Sequence, residues 1–208
     1  MRHSLQFIQA FLRNPSATGS LVPSSRFLID RVLRNIDWDR ARVIVELGPG
    51  LGCFTEQILS RMHPDAVLIA IDCNPEFTAI LRRSFSDPRL HVVLSSATQV
   101  RDGLECAGLR SADCIVSGLP FANMPPAIRH EILQASLDVL RPDGSFVLFQ
   151  YRKLLFPLLQ TTFSSVDSDY EIRNFPPAHV FRCTVDPLRS AAKRRETSDA
   201  LHTAGAPS

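Results

Sequence analysis

The segment Arg42–Leu47 (RVIVEL) runs directly into Gly48-Pro49-Gly50-Leu51-Gly52 and then into a helical pattern over Gly52–Met62. An apolar strand that turns on glycines into a helix is the first half of a βαβ unit, and it narrows the fold sharply. The alternation continues along the chain. Val67–Asp72 (VLIAID), Leu90–Leu94, Ala112–Ser117 and Ser145–Tyr151 (SFVLFQY) read as strands. Helical patterns over Pro75–Phe85 and Pro126–Leu140, and a short one near 98–106, lie between them. Arg141-Pro142-Asp143-Gly144 makes a turn. Near-continuous apolar strands that alternate with helices predict an α/β fold: a mostly parallel sheet covered by helices on both faces. The end differs. Tyr170–Phe175 and His179–Val185 flank Pro176-Pro177 and read as an antiparallel pair.

Two helices precede this pattern. Residues 1–14 place Leu5, Ile8 and Leu12 on one face with Phe7 and Phe11 beside them, and Asn14-Pro15 ends the run. Pro23-Ser24-Ser25 opens the second helix, with a serine as N-cap and Leu28, Val32 and Ile36 as its inner stripe. The expected organisation is an N-terminal helical segment over 1–36, a main domain over 37–186, and a disordered tail over 187–208. That tail is rich in Ala, Ser, Thr, Arg and Pro without periodicity.

Composition excludes several classes. A net charge of +2 is too small to imply nucleic acid. The five cysteines are odd in number and never spaced C-x-x-C, which argues against a disulfide framework and against a metal site. A reducing cytoplasm is the simplest setting. No run of 18 apolar residues exists, and MRHSLQFIQAFLRN lacks the unbroken apolar stretch of a signal peptide.

The glycine turn carries the chemistry. Glycines let backbone approach a ligand closely, and the helix beyond offers free N–H groups to an anion such as a carboxylate. The dinucleotide fingerprint fails, because its third glycine would fall at Cys53, and no G-K-[ST] follows for a P-loop. What remains is E-x-G-x-G-x-G, with Asp72 ending the next strand. A carboxylate there can accept both hydroxyls of a ribose. Each feature alone also has a structural reading: Glu46 as a strand end, Asp72 as a helix cap, the glycines as packing.

In order and at strand ends, these residues resemble the class I S-adenosylmethionine-dependent methyltransferases over roughly residues 42–185. The resemblance implies a Rossmann-like sandwich whose seven-stranded sheet has an antiparallel last strand. It implies S-adenosylmethionine as cofactor. Glu46, Gly48, Pro49, Gly50 and Gly52 would hold the methionine end. Asp72, with Cys73 beside it, would hold the ribose. Ser96 and Ala97 stand where the family usually has an acidic residue beside the adenine, and Ser24 and Ser25 would lie near the methionine carboxylate.

The stretch IVSGLPFANMPP, 115–126, ends a strand in a stiff, uncharged loop. Ligands of open α/β sheets sit at the carboxyl ends of strands, so Ser117, Leu119, Pro120 and Phe121 should border the methyl acceptor. Backbone carbonyls there can orient an amine, and Phe121 can cover it by cation–π contact. The plainer reading is a proline stop with Phe121 in the core. Asn-Leu-Pro-Tyr/Phe marks the ribosomal RNA adenine dimethyltransferases, but Gly118 replaces their asparagine. Ser-Gly-Leu-Pro with Met-Pro looks like the bacterial phospholipid N-methyltransferases, which methylate phosphatidylethanolamine toward phosphatidylcholine; a similar group methylates ornithine lipids. The stretches 11–26 and Arg173–Ala178 extend that resemblance to residues 7–185.

The resemblance therefore implies methylation of a membrane-lipid amine, with phosphatidylethanolamine first and ornithine lipid, RNA or a small molecule as alternatives. Tyr151, Arg173 and His179 are candidate substrate contacts. Phe7, Ile8, Phe11 and Leu12, with Arg2 and Arg13, are candidates for contact with an anionic membrane. The expected location is peripheral, on the inner face of the membrane. No added basic domain points to nucleic acid.

Overall fold

The computed structural model describes residues 24–185. Seven strands form one sheet: β1 Val43–Leu47, β2 Val67–Asp72, β3 Leu90–Leu94, β4 Ala112–Ser117, β5 Leu140–Gln150, β6 Ser165–Glu171 and β7 Ala178–Thr184. Their order is β3-β2-β1-β4-β5-β7-β6. Six strands run parallel, and β7 is antiparallel to both neighbours, β5 and β6. This is the seven-stranded mixed sheet expected from the sequence.

The helices are α1 Arg26–Leu33, α2 Cys53–Arg61, α3 Pro75–Ser84, α4 Val100–Glu105, α5 Pro126–Val139 and α6 Phe156–Thr162. Short 3-10 turns at Ala97–Gln99, Phe121–Asn123 and Lys153–Leu155 lead into the last three. Caps set several starts. Ser25 Oγ accepts the Leu28 N–H, and Asn74 Oδ1 accepts that of Glu76 ahead of Pro75.

The strand pleat sorts apolar residues onto two faces. Val43, Val45, Leu47, Ile69, Ile71, Ile115, Phe146 and Leu148 join Val100, Leu104, Ile132 and Leu133 on the α4–α5 side. Ile44, Leu68, Cys114, Val116 and Val147 join Leu28, Val32, Phe54 and Ile58 on the α1–α2 side. Burial on both faces explains why β1 and β4 read as apolar runs.

Three expectations need correction. Residues 26–36 do not form a unit apart from the main domain: Leu28, Leu33 and Ile36 share one core with β1, β4 and β5. The Arg141–Gly144 turn falls within β5. The pairing skips from Ala112↔Leu140 to Cys114↔Ser145, and Asp143 takes a φ of 72°. The last hairpin starts earlier than Tyr170, because β6 begins at Ser165. The 1–14 helix, with Arg2, Phe7, Ile8, Phe11, Leu12 and Arg13, and the 187–208 tail lie outside the described residues. Among the described residues, no helix is long and apolar enough to cross a membrane, and no cluster of His, Cys, Asp and Glu has metal-site geometry.

Candidate active site

The parallel strands place Leu47, Asp72, Leu94, Ser117 and Gln150 at one edge of the sheet, where loops leave for the helices. The glycine loop occupies its centre, between β2 and β4. Gly48 N–H donates to Ile71 O at 2.9 Å, and Gly118 N–H donates to Leu47 O at 2.9 Å.

The three glycines do different jobs. A Cβ on Gly48 would meet Leu119 Cδ2 at 2.7 Å, and one on Gly52 would meet Phe85 Cε2 at 2.7 Å. Those two positions are held by packing, and buried Pro49 lies between the first and second glycines. Gly50 differs: its φ is +56°, and a Cβ there would meet nothing within 4 Å. This is the loop backbone that a ligand can approach. Beyond it, α2 starts with Gly52 as its N-cap residue and no side chain of its own caps it, while the Thr55 N–H of its first turn bonds the Glu46 carboxylate.

Two buried carboxylates flank this opening. Glu46 is 2% exposed, and Thr55 Oγ1 donates to its Oε2 at 2.7 Å. Burial pushes the Glu46 carboxyl up to about 7, with the Asp72 charge adding to the rise and the Thr55 hydrogen bond opposing it. Asp72 is also buried. Its Oδ2 accepts Gly50 N–H at 3.3 Å, and its Oδ1 accepts Asn74 N–H at 2.8 Å. Burial raises its carboxyl too, and the backbone donors partly offset that rise. No cation among the described residues compensates either group. Cys73 is buried beside them, its thiol pushed up to about 12 by burial, so it is inert packing.

The proline loop is locked. Leu119 N–H donates to Ser117 Oγ at 3.3 Å, and Gln150 Nε2 donates to Leu119 O at 2.9 Å. Here the plainer reading holds for Phe121: it is 0% exposed within the core, with no open face for cation–π contact in this conformation. Leu119 is likewise buried, and Pro120 is half-buried at the edge. Ser96 also departs from expectation. It is fully buried, and its Oγ accepts Thr98 N–H at 3.2 Å, so it caps a turn rather than facing a ligand. Ala97 follows it, half-buried.

Ser25 is engaged as the α1 cap, and its N–H donates to Asn174 Oδ1 at 2.9 Å. Ser24 is half-buried beside it. Both stand near the β6–β7 turn, with no contact to the glycine loop among the described hydrogen bonds. Arg173 belongs to the same corner. Its guanidinium pairs with Glu171 at 3.0 Å and lies 4.2 Å from the Phe27 ring centroid. The His179 ring lies 4.5 Å from that of Tyr170 at a 39° tilt, and burial followed by the Lys153 charge lowers its pKa. Tyr151 is half-buried and meets Phe149 edge-on. Sequence reasoning missed Thr55, Gln150 and Asn174. Gln150 had a readable signal: a polar residue ending an apolar strand, as Asp72 does.

The site can be matched to a cofactor by its donors. Two uncompensated carboxylates suit a cationic ligand that also carries hydroxyls. The open space over Gly50 and the positive end of α2, which no side chain of its own caps, suit a carboxylate on the same molecule. S-adenosylmethionine has all of these groups, so the residues fit it.

Comparison with known proteins agrees. Residues 44–144 match the family described as "Methyltransferase domain". An ornithine lipid N-methyltransferase of Singulisphaera acidiphila is 33% identical over 185 residues, covering 88% of this chain and 96% of that protein. The chain belongs to the class I S-adenosylmethionine-dependent methyltransferases. It is an enzyme, and S-adenosylmethionine is its methyl donor. Ribosomal RNA small subunit methyltransferase A of Bordetella avium is 31% identical over 121 residues, but only 42% of that protein is covered. Among solved structures, the N-methyltransferase NodS of Bradyrhizobium japonicum aligns with a TM-score of 0.64 at 14% identity, covering 77% of this chain and 96% of that one. A precorrin-6y C5,15-methyltransferase of Geobacter metallireducens gives 0.63 at 13% identity, with 81% and 91% covered. These structures share the methyltransferase fold.

Proposed function

We propose that this methyltransferase alkylates the amine of a membrane lipid, and that the headgroup is of the ornithine-lipid type. The observation that carries this is the 33% identity to an ornithine lipid N-methyltransferase across 96% of that protein's length. A match of that extent reaches beyond the cofactor-binding half into the segments that border the acceptor. It favours ornithine lipid over the phosphatidylethanolamine placed first from the sequence. The rRNA relative is covered over less than half its length, and Gly118 replaces the asparagine of that family's loop.

S-adenosylmethionine supplies an electrophilic methyl on a sulfonium. Glu46 would neutralise a nearby ammonium, and Asp72 would accept ribose hydroxyls. Gly48, Pro49 and Gly50, with the first turn of α2, would receive the methionine end, and Gly52 would let α3 pack beneath it. The Ser117–Phe121 loop would form the acceptor wall. Its hydrogen bonds to β1 and Gln150 hold the backbone carbonyls still, which suits an in-line displacement at about 3 Å. An amine attacks only as the free base, and it can lose its proton to water beforehand. His179, whose charged form is disfavoured by burial and then by the Lys153 charge, can accept a hydrogen bond at this edge.

The test is incubation of the protein with radiolabelled S-adenosylmethionine and vesicles containing ornithine lipid, phosphatidylethanolamine or neither, with a ribosomal RNA arm. Label in ornithine lipid, abolished by Gly50→Val, is the expected result. Label only in phosphatidylethanolamine would replace the headgroup. Label only in RNA, or in none of these, would sink the lipid reading.

A further inference from the structure

Among the described residues, six large apolar side chains are exposed: Leu51, Leu94, Leu154, Tyr170, Ile172 and Phe175. All six lie at or next to the carboxyl ends of strands. Leu51 is in the glycine loop, Leu94 ends β3, Leu154 follows β5, and the other three belong to the end of β6 and its turn into β7. Isolated exposed apolar residues are ordinary on a protein surface. Their sorting onto one edge, the edge that carries the active site, is not explained by chance exposure.

Two short runs make a continuous rim. Arg152-Lys153-Leu154 follows β5, and Ile172 to Pro176 joins β6 to β7. β5, β7 and β6 are successive neighbours, so the runs are separated by about two strand spacings, ~10 Å. Both are held in place. Asn174 is buried, accepting Ser25 N–H and donating Nδ2 to Pro176 O at 2.7 Å. Phe175, next to it, is thereby projected outward at 82% exposure. The Lys153–Leu155 turn packs against the Phe121–Asn123 turn of the proline loop. Cations surround the tips. Arg26 and Arg173 lie over Phe27 at 4.8 Å and 4.2 Å. Arg152 and Lys153 are exposed and form no ion pair among the described residues.

We propose that this rim, with Leu154, Ile172 and Phe175 at its tips and Arg26, Arg152, Lys153 and Arg173 around them, docks on an anionic lipid bilayer and sets the active-site edge against the headgroups. The inference rests on the lipid reading above and adds the surface that reads the membrane. Separate apolar tips ringed by arginine and lysine suit a bilayer interface: the tips enter the acyl boundary and the cations meet anionic headgroups. The competing occupant is residues 1–23 of the same chain, which join the described part at Ser24 on this edge.

The test uses the full chain and the variant Leu154→Asp/Ile172→Asp/Phe175→Asp, sedimented with vesicles of phosphatidylcholine plus phosphatidylglycerol or of phosphatidylcholine alone. The wild type should partition more strongly when phosphatidylglycerol is present. The variant should lose roughly tenfold or more of its partition. Its methylation of ornithine lipid in those vesicles should fall in parallel. Its rate on the same lipid dispersed in detergent, and its thermal midpoint, should match the wild type. Unchanged partition overturns the proposal. So does a lowered midpoint with unchanged partition, which would mean that residues 1–23 cover the rim. Failure of the lipid reading looks different: the wild type would then methylate no lipid in vesicles or in detergent, whatever its partition.

Discussion

The two edges of the sheet treat their carboxylates in opposite ways. At the amino edge, Asp113 accepts the N–H groups of Arg42 and Val43, both at 2.8 Å, and pairs with Arg141 at 2.6 Å. Asp87 pairs with Arg89 at 2.6 Å, and that hydrogen-bonded guanidinium holds its carboxyl below the usual range. Arg89 also donates to Leu59 O at 3.0 Å and closes the end of α2. At the carboxyl edge, Glu46 and Asp72 are buried with no cation, and both carboxyls are raised. A charge buried without a partner is destabilising unless a ligand supplies one. The amino edge is therefore built to hold the fold, and the carboxyl edge is left electrostatically incomplete for a ligand to finish.

The largest expected effect tests whether that edge is a ligand site at all. Gly50→Val puts a β-branched residue at a φ of +56° and fills the open space over the loop. Affinity for S-adenosylmethionine should fall by roughly a thousandfold in calorimetry, about 4 kcal/mol. Retained affinity would break the comparison, because the open glycine would then have no ligand role.

Glu46→Gln sharpens it. The Glu46 carboxyl rises from 4.5 to about 7 in the fold, so the folded state favours the protonated form. The ligand-free protein should be most stable, as far as this group is concerned, below its ordinary value. It should lose about 3 kcal/mol as the pH rises to about 7, and no more above that. The glutamine variant should lack this slope in denaturant titrations across the range, and it should bind the cofactor at least about tenfold more weakly. An unchanged slope would mean that Glu46 ionises freely and that the edge is not strained.

Much of this was legible in the sequence because the parallel strands are buried on both faces. RVIVEL, VLIAID and ADCIVS read as near-continuous apolar runs, and the carboxylates at or next to the ends of the first two, Glu46 and Asp72, marked the site. The missed parts had no such signal. β6 (SVDSDYE) is an outer strand with mostly exposed side chains, so it carries neither an apolar run nor a clean alternation. α6 is seven residues starting Phe156-Pro157, too short for a period to show. Ser96 had the right spacing, but spacing does not reveal that its hydroxyl turns inward to cap Thr98. Phe121 read equally as wall or core, and only packing decides that.

Asp113→Ala is the matching change at the amino edge. It removes the acceptor of two strand-start N–H groups and the partner of Arg141. Denaturant unfolding should show a loss of about 2 kcal/mol. Cofactor affinity should not change. A fall in affinity would mean that the edges are coupled through β1 and β4.

The smallest effect concerns the exception to the comparison. Glu171 lies at the carboxyl end of β6 and is fully buried, yet it is compensated in the amino-edge manner. Arg173 Nε lies 3.0 Å from it and Arg31 Nε 2.6 Å, while Arg31 Nη1 also reaches Asp169 at 2.7 Å. Hydrogen bonding from Arg173, then Arg31, holds the Glu171 carboxyl down at about 2. Its stabilisation is therefore full above the ordinary value of 4.5 and fades as the pH falls toward 2. These contacts fasten α1 to β6 at the corner of the rim. Arg31→Ala leaves Arg173 in place, so the loss near neutral pH should be modest, about 1 kcal/mol. The acid-unfolding midpoint should move to higher pH, because Glu171 then protonates more readily. Cofactor affinity should be unaffected if this corner braces the fold and takes no part in the incomplete edge. If affinity falls with Arg31, the boundary between bracing and binding runs through Glu171, and the carboxyl edge must be divided at β5 rather than treated as one surface.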